Sequence, residues 1–202
     1  MSAWFRTPLG ILACPPKGGF TSLDYCMPRH RGDRSTGQME RPLAHVTLVS
    51  RDPWRRWLSG VNRFKWTNEY GDAVAAAIPA DVITKFKTRP IAADYFRDFY
   101  YQITLPLEMY GQGHPYIDTD QHYTSASRYL QDCGFDKPDS VISLEHTKCY
   151  LQQFSIDYKI KNVELDYGGI SKQEFAQLAE DTYILVRKLW KQDFQWRNQA
   201  VF

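Results

Sequence analysis

Short runs of branched apolar residues alternate along this chain with stretches in which apolar side chains recur every third or fourth position, a pattern that predicts strands followed by helices. Residues 10–14 read as a buried strand, followed by a turn rich in Pro and Gly, with Thr21 and Ser22 as candidate N-cap residues of the next helix. Residues 44–50, AHVTLVS, have the β-branched apolar character of a central parallel strand. They end in Arg51-Asp52-Pro53, where Pro53 suits the first turn of a helix running to about Phe64. That helix carries Trp54, Trp57, Leu58 and Val61 at helical spacing, interleaved with Arg55, Arg56 and Arg63, and its tryptophans read as packing residues.

Helical patterns follow at residues 80–87 and 91–103, then a loop at residues 111–124 rich in Gly, His, Asp and Tyr. A polar loop of that length is a candidate acceptor-side segment. Residues 125–132 read as a helix, 140–144 as another buried strand and 147–154 as the helix after it. Ser171 and Glu174 stand in capping-box spacing at the head of a helical stretch that continues to Trp196. Strands alternating with helices predict an α/β fold, a central parallel sheet flanked by helices, in one domain covering residues 1–202.

Composition narrows the partners. With 25 Lys and Arg against 23 Asp and Glu, the formal charge is only +2, which excludes a sustained nucleic-acid-binding surface but leaves room for a local anion site. Cys14, Cys26, Cys133 and Cys149 form neither a C-x-x-C pair nor a zinc-type spacing and read as reduced thiols. The apolar stretch near the N-terminus is short, and the run at residues 73–80 is broken by Pro79, so neither a membrane anchor nor a signal peptide is expected. The expected setting is the cytoplasm.

Candidate chemistry begins in the loop Pro15-Pro16-Lys17-Gly18-Gly19-Phe20-Thr21-Ser22, which combines a cation, two glycines that let the backbone approach an anion, and two hydroxyls. It is not a Walker A loop, because Lys17 precedes both glycines, and an ATP-dependent, kinase-like reading loses its main support. The arrangement resembles the 5′-phosphosulfate loop of the sulfotransferases that use 3′-phosphoadenosine 5′-phosphosulfate (PAPS). A second segment, VSRDPWRRWLSG at residues 49–60, resembles that family's 3′-phosphate segment, in which a strand ends in Arg-Asp-Pro and a Ser lies eight residues after the Arg. DTDQHYTSASRYL (118–130), DSVISLEH (139–146) and KLWKQDFQW (188–196) are similar to segments of the carbohydrate sulfotransferases.

The resemblance implies a P-loop-type three-layer domain that moves a sulfuryl group from PAPS to a hydroxyl or amine of a carbohydrate or other small acceptor. It implies that Lys17, Gly18, Gly19, Phe20, Thr21 and Ser22 hold the 5′-phosphosulfate, with Lys17 on the leaving phosphate, and that Arg51 and Ser59 hold the 3′-phosphate. No metal is expected, since Lys, Arg and backbone groups meet the donor's charge. A general base is needed, and His30, His45, His114, His122 and Glu145 are available. His30 leads, because it lies in the interval where uronyl-type members carry their catalytic His, and His122 is second. Glu145 reads as a capping or pairing residue. The loop around His114, Asp118, Asp120 and His122 lacks the spacing of a helical metal motif and reads as an acceptor contact. A relative that binds PAPS or its product without turnover is the non-enzymatic alternative.

Overall fold

The structure, a computed structural model, describes residues 3–27, 31–33, 45–68, 70–112, 120–161 and 165–200. His30, His114 and Asp118 lie outside the described residues. Strands β1 (Ala3–Thr7) and β2 (Gly10–Ala13) form an antiparallel hairpin in which Trp4 faces Ala13 and Thr7 faces Gly10. Strand β3 (Arg31–Asp33) adds antiparallel to the outer edge of β1. Strand β4 (His45–Ser50) runs parallel to β2, and β5 (Ser140–Ser143) runs parallel to β4, giving the order β3-β1-β2-β4-β5. The expected parallel sheet is present in β2, β4 and β5 and is extended by β1, which is opposed to its neighbours, and β3. Residues 3–7, to which the periodicity assigned no strand, pair because the turn at Pro8 and Leu9 folds them back on β2, whose outer backbone groups need partners.

Side-chain alternation sorts the sheet into two faces. Trp4, Ala13, Val46, Leu48 and Val141 point to one side, where helix α7 (Ala126–Cys133) covers them with Tyr129, Leu130 and Cys133. Phe5, Leu12, Val49 and Ile142 point to the other, beneath Leu23 of helix α1 (Phe20–Cys26) and Leu151 of helix α8 (Thr147–Gln152). Helices thus flank both faces. A third core is built mainly from helices and centres on Phe99, whose ring meets those of Trp57, Phe64, Phe86, Tyr95 and Tyr123.

Helix α2 (Pro53–Trp66) begins as its sequence dictates: the Asp52 carboxylate accepts from the Arg55 N–H at 2.7 Å, and Pro53 occupies the first turn. Helix α3 (Asp72–Ala77), absent from the sequence expectation, precedes α4 (Ala80–Thr88). The stretch expected as one helix at 91–103 is α5 (Ala93–Phe99), a π-helical turn at Tyr100–Thr104 and α6 (Leu105–Met109). The stretch ending at Trp196 is likewise divided into α9 (Lys172–Leu178), α10 (Tyr183–Leu189) and α11 (Lys191–Asn198). Its capping box at Ser171 and Glu174 is present. The break at Trp190 comes where the chain leaves the helical core, which buries Val186 and Trp190, for the sheet face, which buries Trp196. No helix among the described residues is long and apolar enough to cross a membrane.

One buried arginine ties these layers together. The Arg56 guanidinium, 2% exposed, lies 3.6 Å from the Asp193 carboxylate and 4.5 Å over the Trp190 ring. It also donates to the carbonyls of Thr124, Gln121 (3.4 Å) and Pro16 (3.5 Å). Asp193 in turn accepts from the Ala126 and Ser127 N–H groups at 2.5 and 3.0 Å, anchoring the start of α7. Next to them, buried Glu108 accepts from the N–H and hydroxyl of Ser125, and burial pushes its carboxyl up to about 7. Burial works against both charges of the Arg56–Asp193 pair, lowering the guanidinium's pKa and raising the carboxyl's, and each charge offsets the other. Removing one partner leaves the other without compensation, so Asp193→Ala is expected to lower the unfolding free energy by about 3–5 kcal/mol. Urea denaturation measures it, with the exposed Lys191→Ala on the same helix as the control expected to stay within about 0.5 kcal/mol.

Candidate anion-binding cleft

Strands β2 and β4 run side by side, Ala13 opposite Leu48, so the loops after them leave the sheet at the same edge. Strand β5 ends there too, with Ser143 opposite Ser50. In open α/β sheets this carboxyl edge is where ligands bind. A cleft of about 1110 Å³ opens at it.

The first loop is shaped by its backbone. Pro15 accepts from the Gly18 N–H at 2.9 Å, and Lys17 sits in the left-handed region at φ 64°. The Cys14 thiol lies 3.4 Å from the Gly18 carbonyl, and the Cys14 N–H donates to the Tyr129 hydroxyl at 3.1 Å. Gly19, at φ 106°, is the N-cap of α1, so Thr21 and Ser22 lie inside the first turn and not ahead of it. A Cβ on Gly19 would stand 2.5 Å from the tip of the Leu144 side chain, which would have to move, and the φ of 106° favours glycine on conformational grounds.

The second loop delivers Arg51, whose guanidinium donates to the Lys17 carbonyl at 2.7 Å and binds the two loops together. Ser59, two turns into α2, is buried on the same wall. Its neighbour Gly60 lets the loop before α7 come close: a Cβ there would stand 2.3 Å from the His122 carbonyl oxygen.

Lys17, Gly19, Phe20, Thr21, Ser22, Arg51 and Ser59 all line the cleft, whereas Gly18 does not. Among the described residues the lining also includes Arg63, Lys148, Lys161 and Lys172, making six cationic side chains against the single carboxylate of Glu145. The Lys17 ammonium is pushed down to about 8, first by burial and then by Arg63 and Arg51. Burial likewise lowers Arg51. Positive charge is thus gathered in a partly desolvated space where an anion relieves it.

The base candidates separate. His122 does not line the cleft; its Nδ1 lies 2.8 Å from Asp120, which also accepts from the Gly71 N–H at 2.9 Å. Burial works against the Asp120 charge, but the hydrogen bonds from His122 and Gly71 prevail and hold its pKa low. His45 stands at the opposite end of β4, 2.9 Å from the Ser140 hydroxyl. Glu145 is on the wall, paired with Arg197 at 3.1 Å as its sequence context suggested. Among the described residues no three of His, Cys, Asp and Glu gather as metal ligands.

Sequence reasoning missed the cleft roles of Arg63, Lys148, Lys161 and Lys172. Arg63 was legible, since it follows Ser59 by four residues and shares its helix face. The three lysines come from distant segments and carry no local signal. Compared with family models, with curated proteins and with solved structures, the chain finds no match. The functional reading therefore rests on the cleft itself.

Linkage gives the cleft a pH signature. Below pH 8 Lys17 is already protonated, so an anion binds without proton uptake; above pH 8 binding must take up a proton and weakens. Sulfate, which does not titrate in this range, is expected to lose affinity by up to about tenfold per pH unit above pH 8. In Lys17→Arg, whose cation stays charged, calorimetric titration is expected to show that slope gone.

Proposed function

We propose that this chain is a PAPS-dependent sulfotransferase of P-loop type, moving a sulfuryl group to a hydroxyl or amine of a carbohydrate or other small acceptor. The observation that carries the reading is the hydrogen bond from Arg51 to the Lys17 carbonyl. It brings into one cleft the two segments that separately resemble the family's 5′-phosphosulfate and 3′-phosphate elements. PAPS carries anionic groups at both ends of its nucleotide, and the cleft's excess of cations suits such a donor.

In this reading Arg51, with its planar fork, and Ser59 hold the 3′-phosphate, and the Lys17 ammonium neutralises charge developing on the leaving 5′-phosphate. Transfer is an in-line displacement: the acceptor oxygen or nitrogen forms a bond to sulfur as the bond from sulfur to the bridging phosphate oxygen breaks. The departing electron pair stays on the phosphate, and the acceptor's proton passes to a base. Positioning and charge stabilisation supply the catalysis, as in phosphoryl transfer. His30 keeps its place as the proposed base, with His122 behind it because its ring is bonded to Asp120 away from the cleft wall.

One observation favours the alternative of a nucleotide-binding relative without turnover: among the described residues the cleft wall has no imidazole, and its one carboxylate is paired with Arg197. Calorimetry with the desulfated product, 3′-phosphoadenosine 5′-phosphate (PAP), against AMP tests the donor site. Wild type is expected to prefer PAP, and Arg51→Ala to lose roughly 10- to 100-fold in PAP affinity with little change for AMP. Equal binding of the two nucleotides, or none, rejects the reading. PAP binding with no transfer from PAPS across hydroxyl and amine acceptors selects the non-catalytic alternative.

A further inference from the structure

Two side chains on one face of α1 reach a strap of chain outside regular secondary structure at residues 156–161. The Lys161 N–H donates to the Ser22 hydroxyl oxygen at 3.0 Å. The Lys159 N–H donates to the Cys26 sulfur at 3.1 Å, and that thiol lies 3.6 Å from the Lys159 carbonyl oxygen. Ser22 therefore pairs with residue 161 and Cys26 with residue 159, so helix and strap run in opposite directions.

The spacing of the two rungs is matched. Four residues of helix advance about 6 Å, within the span of about 6.6 Å that two residues of chain can cover, so one strap can make both contacts. Ser22 has a further partner in the Tyr158 hydroxyl, and it is buried. Tyr158, Ile160 and Lys161 of the strap all line the cleft. The strap is thus one of its walls.

We propose that Ser22 and Cys26 are positioning residues that pin this strap to α1 and so hold the wall of the nucleotide cleft. Ser22 acts through the strap and is not a ligand of the phosphosulfate, which leaves the direct contacts to other lining residues, Lys17, Gly19, Phe20, Thr21, Arg51 and Ser59 among them. The consequence for PAP affinity rests on the donor reading above, whereas the pinning does not.

Ligand-free amide exchange by NMR separates the two. Ser22→Ala is expected to speed exchange at Lys161, and Cys26→Val at Lys159, each roughly three- to tenfold, as loss of one hydrogen bond implies. Cys26→Ser, which keeps an acceptor, is expected to restore the Lys159 rate. PAP affinity is expected to fall by a similar factor in each single variant, further in the double variant, and to recover in Cys26→Ser. Loss of PAP affinity in Ser22→Ala with unchanged strap exchange would make Ser22 a direct ligand and overturn the proposal. A double variant with a loosened strap and unaltered PAP affinity overturns it as well. Should wild type bind no PAP, the donor reading falls on its own, and the exchange rates still decide whether the two side chains pin the strap.

Discussion

A guanidinium out of reach of water must be met from several directions, and Arg56 is met by three segments distant in sequence. Pro16 belongs to the loop after β2, Gln121 and Thr124 to the turn before α7, and Trp190 and Asp193 to the break before α11 and to α11 itself. Because Asp193 also holds the first N–H groups of α7, the same charge pair fixes a helix on the sheet face and the loop that presents Lys17. A hydrophobic contact tolerates sliding, whereas a buried fork of N–H donors allows little. The cleft inherits its shape from that restriction.

The cleft and this pair use positive charge in opposite ways. Arg56 is neutralised by Asp193 and oriented by carbonyls, so its charge is already satisfied. Lys17, in the loop after β2, and Arg51, just before α2, lose affinity for protons first because they are buried, with Arg63 and Arg51 adding to the effect on Lys17 and Arg55 to that on Arg51. Similar cations thus stabilise the fold at one place and prepare an anion site at the other, the difference lying in whether a carboxylate is supplied.

Local rules made much of this visible in the sequence. Asp52 and Pro53 announce the start of α2, Ser171 and Glu174 that of α9, and the β-branched apolar run at residues 44–50 the central strand. Each signal lies within a few residues of its effect. The three arginines of α2 show where such signals stop. Arg55 is exposed, Arg56 buried and Arg63 on the cleft wall, although residue type and helix are the same. Helical phase places Arg56, Ser59 and Arg63 on one face. Only partners from the other end of the chain distinguish the buried member from the one that lines the cleft. The strand at Ala3–Thr7 and the break at Trp190 escaped for the same reason, since each is imposed by tertiary pairing and not by its own residues.

The left-handed backbone of Lys17 sets stability against purpose. A residue with a Cβ at φ 64° gives up on the order of 1 kcal/mol relative to glycine, and the burial of its ammonium, with two arginines nearby, adds to the burden. Glycine at this position relieves both. A library ranked by thermal resistance alone would therefore enrich chains that fold better and no longer grip an anion. Position 17 is where selection for robustness and selection for chemistry part company.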